Sequence, residues 1–106
     1  MKVLYDVYIC CSNIYGNRLS DVYLYGSYAL GDYDNESDVD ILVTANIDTP
    51  EHGDYFNKIS ILSSRLSLKY DLTVSVSVKP QKQFLRYAAT LPFYINVLKE
   101  GIKCAA

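Results

Sequence analysis

The sequence predicts a small α/β (α+β) domain, a mixed β-sheet flanked by helices, and three observations carry that expectation. Segments with helical spacing alternate with short β-branched or strictly alternating runs along the whole chain. Half of the 106 residues are hydrophobic and 21% are charged, the balance of a folded chain with one core. No linker, repeat or low-complexity stretch interrupts the pattern, so residues 1–106 read as a single domain.

The elements follow in order. Val3, Val7, Cys10 or Cys11, and Ile14 fall on one helical face over residues 3–15, and Gly16-Asn17 is a left-handed stop. The β-branched content of residues 3–9 also suits a strand. Residues 21–25 form a short strand-like run that ends at Gly26, and Gly26-Ser27 turns the chain into a helical turn at Tyr28-Ala29-Leu30. Residues 31–37 are polar, with three carboxylates and Tyr33 as the one apolar side chain. Residues 38–44 read as the second strand. Asp48-Thr49-Pro50-Glu51 resembles a helix start, and the helix after it presents Phe56, Ile59, Leu62 and Leu66 on one side. Residues 70–78 alternate most clearly. Tyr70, Leu72, Val74, Val76 and Val78 point one way, and Asp71, Thr73, Ser75 and Ser77 the other. Two short helices over residues 81–89 and 92–100 end at Gly101.

Composition excludes several classes. Ten Lys+Arg against twelve Asp+Glu give a net charge of -2, so no global basic field argues for a nucleic-acid partner. No apolar stretch approaches the roughly 20 residues of a membrane span, and Asp6 interrupts the N-terminal apolar run too early for a secretory signal. Cys10, Cys11 and Cys104 are odd in number and lack metal-ligand spacing, which predicts reduced thiols and a cytoplasmic protein. The eleven tyrosines are read as amphipathic rings at core and boundary positions.

Chemistry concentrates in residues 26–40. Gly26 lets the backbone approach a bulky ligand, Ser27 adds a hydroxyl, and the amides of the following turn face outward toward an anion. Asp38 and Asp40 stand two apart on a strand and so share one face. Two carboxylates beside a phosphate-binding turn are what binding Mg²⁺ with a nucleoside triphosphate requires. Asp71, at the start of the next strand, is the natural third member, able to complete the metal site and help deprotonate an attacking hydroxyl. A calcium loop starting at Asp32 fails, because Ser37 stands where glycine is required and Val43 where glutamate must close the loop. Asp32, Asp34 and Glu36 are read as solvated loop charges, His52 as a surface helix residue, and Lys69, Lys79, Lys82 and Arg86 as a solvated face.

Gly26-Ser27, ten residues, then Asp38-Val39-Asp40, with Asp71 before a later strand, resembles the nucleotidyltransferase superfamily that includes DNA polymerase beta. The run from Pro92-Phe93-Tyr94 to Glu100-Gly101 is similar to minimal nucleotidyltransferase (MNT) domains, and the resemblance spans residues 15–101. It implies a nucleotidyltransferase-like fold with Gly26 and Ser27 on the nucleotide and Asp38, Asp40 and Asp71 on Mg²⁺ (or Mn²⁺). It also implies transfer of AMP from ATP onto a tyrosine of a helical HEPN-domain toxin, making this chain an antitoxin. Self-association is compatible with the same reading. One departure is Leu30, which stands where the family turn often carries Arg. That departure motivates the alternative of an antitoxin that neutralises a HEPN partner by occlusion. An antibiotic-modifying transferase would need a second domain for its acceptor, and 106 residues leave no space for one.

Overall fold

A computed structural model of the chain describes residues 2–34, 36–48 and 53–104. The elements are α1 (Lys2–Tyr15), a 3₁₀ turn (Gly16–Arg18), β1 (Leu19–Tyr25), α2 (Ser27–Leu30) and β2 (Val39–Ala45). They continue with α3 (Gly53–Tyr70), β3 (Val74–Pro80), α4 (Gln81–Tyr87), α5 (Pro92–Glu100) and β4 (Ile102–Lys103). The strands form one mixed sheet in the order β3-β2-β1-β4, antiparallel except for the parallel β2–β3 pair.

Helix wins over strand at the N-terminus because Val3, Leu4, Val7, Cys11 and Tyr15 line one buried stripe of α1. That stripe packs with Ile59, Leu62 and Leu66 of α3 on Val22, Leu24, Val39, Ile41, Val43, Val74 and Val78 of the sheet. The opposite face carries a smaller core in which Tyr23 and Leu42 meet Phe84 of α4 and Tyr94 and Val97 of α5. Helices therefore cover both faces, and Asp40 lies on the face under α4 and α5.

The expected strand over residues 70–78 is corrected at its start. Tyr70 is the last residue of α3, and its hydroxyl and the Lys69 ammonium both bond to the Asp6 carboxylate of α1. Asp71 has φ +52°, and the Leu72 amide bonds back to the Ser67 carbonyl (3.2 Å), a Schellman stop that holds Asp71 in the left-handed position. Asp is one of the few L-residues that enter that region readily. Only at Val74 does the chain become strand, and from there the valine and serine alternation runs as expected.

The two-residue strand β4 follows Gly101 and was not foreseen; it pairs with Tyr23 and Leu24 of β1. A Cβ at Gly101 would overlap the Val97 carbonyl, so this close helix exit demands glycine. The expected helix start at Thr49-Pro50-Glu51, and His52, lie outside the described residues. All three cysteines are free thiols, and burial pushes Cys11 up to about 12, which makes it a core hydrophobe rather than a nucleophile. Tyrosines 15, 23 and 94 are buried, in line with their core reading. Among the described residues no helix is long and apolar enough to cross a membrane.

Candidate active site

Strand register builds the site. Tyr25, the last residue of β1, pairs with Asp40, the second residue of β2, and Asp40 pairs in turn with Ser75 of β3. Directly opposed residues share a face, so Tyr25, Asp40 and Ser75 stand on the α4/α5 side at one end of the sheet. Two residues further along β2, Leu42 is fully buried, while Asp38, just before the strand, is exposed.

Gly26 follows Tyr25 with φ +76° and ψ −156°, a conformation essentially restricted to glycine. A Cβ placed there would lie 2.7 Å from Asp40 Oδ2. The sequence reading kept Gly26 bare for a ligand; the structure shows that the first group to use the space is the Asp40 carboxylate. Ser27 then opens α2, where the Ala29 and Leu30 amides both bond to the Gly26 carbonyl. The Gly-Ser turn and the Asp-x-Asp strand thus converge on one spot.

The connecting loop has its own internal logic. Tyr28 and Tyr33 stack at 4.2 Å, and the Asp34 carboxylate accepts the Glu36 amide (2.9 Å) while Ser37 Oγ accepts the Asp34 amide (3.0 Å). Asp34 is therefore a turn former that delivers Asp38 to the strand. Asp32 and Glu36 are exposed.

Burial, and after it the charge of Asp38, raises the Asp40 carboxyl above its usual value. The Tyr25 hydroxyl is raised by its own burial and then by Asp40, and is partly offset by a hydrogen bond with Ser77. Asp38 and Asp40, two apart on one face of the strand, are like charges that a divalent cation between them would bridge. Mg²⁺ characteristically takes one or two protein carboxylates and fills its remaining positions with water and phosphate oxygens, so Asp38 and Asp40 fit that ion.

Asp71 does not join them. Among the described residues no three acidic, His or Cys side chains gather into a metal site, and the position beside Asp40 on β3 belongs to Ser75. The helix runs on through Tyr70, Asp71 follows it in the left-handed position with its side chain exposed, and the strand register puts Asp71 four residues before Ser75. The basic residues also stand apart. Lys69 pairs with Asp6 at 3.0 Å. Lys82 and Arg86 line a cavity of about 520 Å³ with Asp48 and Pro80, at the Ala45–Pro80 end of the sheet. That end is five residues, or roughly 16 Å, along the strands from Asp40.

Sequence reasoning missed Tyr25, Ser75 and Ser77, which were legible only as strand residues of the right parity. It also missed a small cavity of about 200 Å³ against Gly26, between Tyr25 and the α5 residues Phe93, Asn96 and Glu100. Phe93 meets Tyr25 edge-on at 5.3 Å there.

Comparison with known proteins agrees with this geometry. Residues 9–104 match the model of the family described as nucleotidyltransferase domain. A Methanocaldococcus jannaschii protein named as a putative protein adenylyltransferase is 36% identical over 87 residues, 82% of this chain and 79% of its own length. A second protein of that organism with the same designation is 47% identical over 64 residues, 60% of this chain and 63% of its own. Among solved structures, a chain of a toxin–antitoxin complex with AMP-PNP superposes with a TM-score of 0.61 at 21% identity, over 93% of this chain and 69% of the other. A chain from the complex of tri-AMPylated Shewanella oneidensis HEPN toxin with its MNT antitoxin gives 0.52 at 21% identity, over 97% and 71%. At that identity the structures speak for the fold, and the fold agrees.

Proposed function

Since the chain belongs to the nucleotidyltransferase domain family, we propose that it transfers AMP from ATP onto a tyrosine hydroxyl of a HEPN-domain toxin and so acts as an antitoxin. The observation that carries the reading is the convergence of Gly26-Ser27 on the Asp38–Asp40 pair, with the Asp40 carboxylate lying against Gly26. The adenylyltransferase relatives and the AMPylated HEPN complex support the reaction class and the partner.

Gly26 and Ser27 would receive the triphosphate at the head of α2, beside the Asp40 carboxylate that lies against Gly26. Asp38 and Asp40 would hold Mg²⁺ or Mn²⁺, which when bound neutralises phosphate charge and orients the α-phosphorus for attack. The acceptor oxygen forms a bond to that phosphorus, the bond to pyrophosphate breaks, and pyrophosphate leaves. The hydroxyl proton leaves to bulk water as the new bond forms.

Radiolabel from ATP marked at the α-phosphate should appear on a HEPN partner with the native chain and vanish with the Asp38→Asn/Asp40→Asn variant. Full transfer by that variant would refute the site. Occlusion without chemistry is kept as a second reading because no third acidic group joins the pair among the described residues. Under that reading the double variant would still bind and silence the toxin.

A further inference from the structure

Among the described residues the outer edge of β3 is unpaired in the four-stranded sheet. The Val39 amide bonds to the Thr73 carbonyl (2.8 Å), which fixes the phase of the parallel ladder. Thr73, Ser75 and Ser77 turn their main-chain groups toward β2, and Val74, Val76 and Val78 turn theirs outward. The Val74 amide confirms this phase, because it leaves the sheet to donate to Ser67 Oγ at 2.9 Å. The outward groups of Val76 and Val78 have no comparable side-chain partner among the described residues.

Three features of this edge identify its occupant. Residues 74–78 read Val-Ser-Val-Ser-Val, the same in both directions, so an antiparallel copy places valine on valine and serine on serine. From Thr73 to Val78 the edge carries no charged side chain, whereas the free edges of monomeric sheets are usually blunted by charge or a bulge. Lys79, the first charge, would face Thr73 of the other copy rather than a like charge. A groove of about 550 Å³ runs between this edge and α3, walled by Phe56, Ser60 and Ser63, with Phe56 half exposed. It lies on the side to which the valines of an added strand would point.

We propose that β3 pairs edge to edge with β3 of a second copy of this chain, antiparallel about Val76, joining two four-stranded sheets into one of eight. The contact is self-complementary and closes on itself as a two-fold dimer. Both Asp38–Asp40 pairs then stand on the same continuous sheet.

Sedimentation equilibrium of the purified chain tests this with three variants. Val76→Pro removes the central outward amide while the β2 bonds, made by neighbouring residues, stay in place, so the dimer should become a monomer. Thr73→Glu gains two cross-strand pairs with Lys79 and should tighten the dimer between about 2-fold and about 30-fold, and Thr73→Lys should loosen it by a similar factor. A native chain that stays monomeric throughout the accessible concentration range overturns the proposal, as does a dimer that a folded Val76→Pro variant leaves intact. If Val76→Pro fails to fold, the opposite shifts of the Thr73 pair decide, and their absence overturns the register and with it the proposal.

Discussion

Replacing Gly26 by alanine should injure the fold and the site through two separable terms. The first is conformational. Its φ of +76° and ψ of −156° lie where a side chain costs about 1–3 kcal/mol. The second is steric, since the new Cβ would sit 2.7 Å from Asp40 Oδ2 and 3.6 Å from its Cγ. The carboxylate can yield only by swinging off the turn, so Gly26→Ala should displace the group the chemistry needs. Thermal and urea unfolding would read the first term, roughly 4–8 °C for each kcal/mol in a domain near this size. The steric term is isolated by repeating the change in an Asp40→Ala background, where the obstructing atoms are gone. A coupling of about 0.5–3 kcal/mol is expected between the two changes. Strict additivity, or a Gly26→Ala protein within about 0.5 kcal/mol of native, would refute the claim that the turn and the carboxylate are built against each other.

Asp71→Gly should stabilise α3 by about 1 kcal/mol, because glycine takes the left-handed position freely, and should leave AMP transfer intact; loss of transfer in urea-stable protein would return Asp71 to the site. Asp40→Asn should be more stable than native at neutral pH. The folded carboxyl is raised by burial and by Asp38, so the native state holds its proton longer and loses stability as pH rises through the carboxylate range; urea midpoints across that range should fall in the native chain more than in the variant. Leu42→Ala removes a fully buried side chain from the α4/α5 core and should cost about 2–5 kcal/mol by urea unfolding. Ser75→Asp would add a carboxylate in register with Asp40, so the variant should melt below native without metal and gain more than native on adding Mg²⁺.

The parts of the fold visible in the chain were those set by local patterning. The period-two valines of β3, the apolar strand of residues 39–44 and the helix faces of α1 and α3 all declare themselves through residues that must be buried. The Gly26-Ser27 and Asp38-Asp40 spacing was equally legible, because two charges at the head of an apolar strand are costly unless used. What the sequence hid was decided by partners distant along the chain. Tyr70 looks like strand by residue type, yet Asp6 on α1 supplies a carboxylate for it and for Lys69, and the helix is held for its final turn. That one turn moves Asp71 from a strand face to a helix cap, while the register of β2 with β3 places Ser75 beside Asp40. β4 escaped notice for a related reason, since two residues gain strand character only from the β1 edge they meet.

The gradient along β2 explains how one strand serves both stability and chemistry. Asp38, Asp40 and Leu42 project on the same face at successive positions of the pleat, and their burial runs from exposed through half-buried to complete. Phe84, Tyr94 and Val97 cover Leu42, while beyond them toward Asp40 the cover thins to Tyr25 and Phe93. A carboxylate at the Leu42 position would be desolvated past the point where it could stay charged. At the Asp40 position the carboxyl is raised by burial yet remains open to a ligand arriving over Gly26. The same thin cover leaves the site reachable by a side chain presented from another protein, which is the geometry a protein acceptor requires.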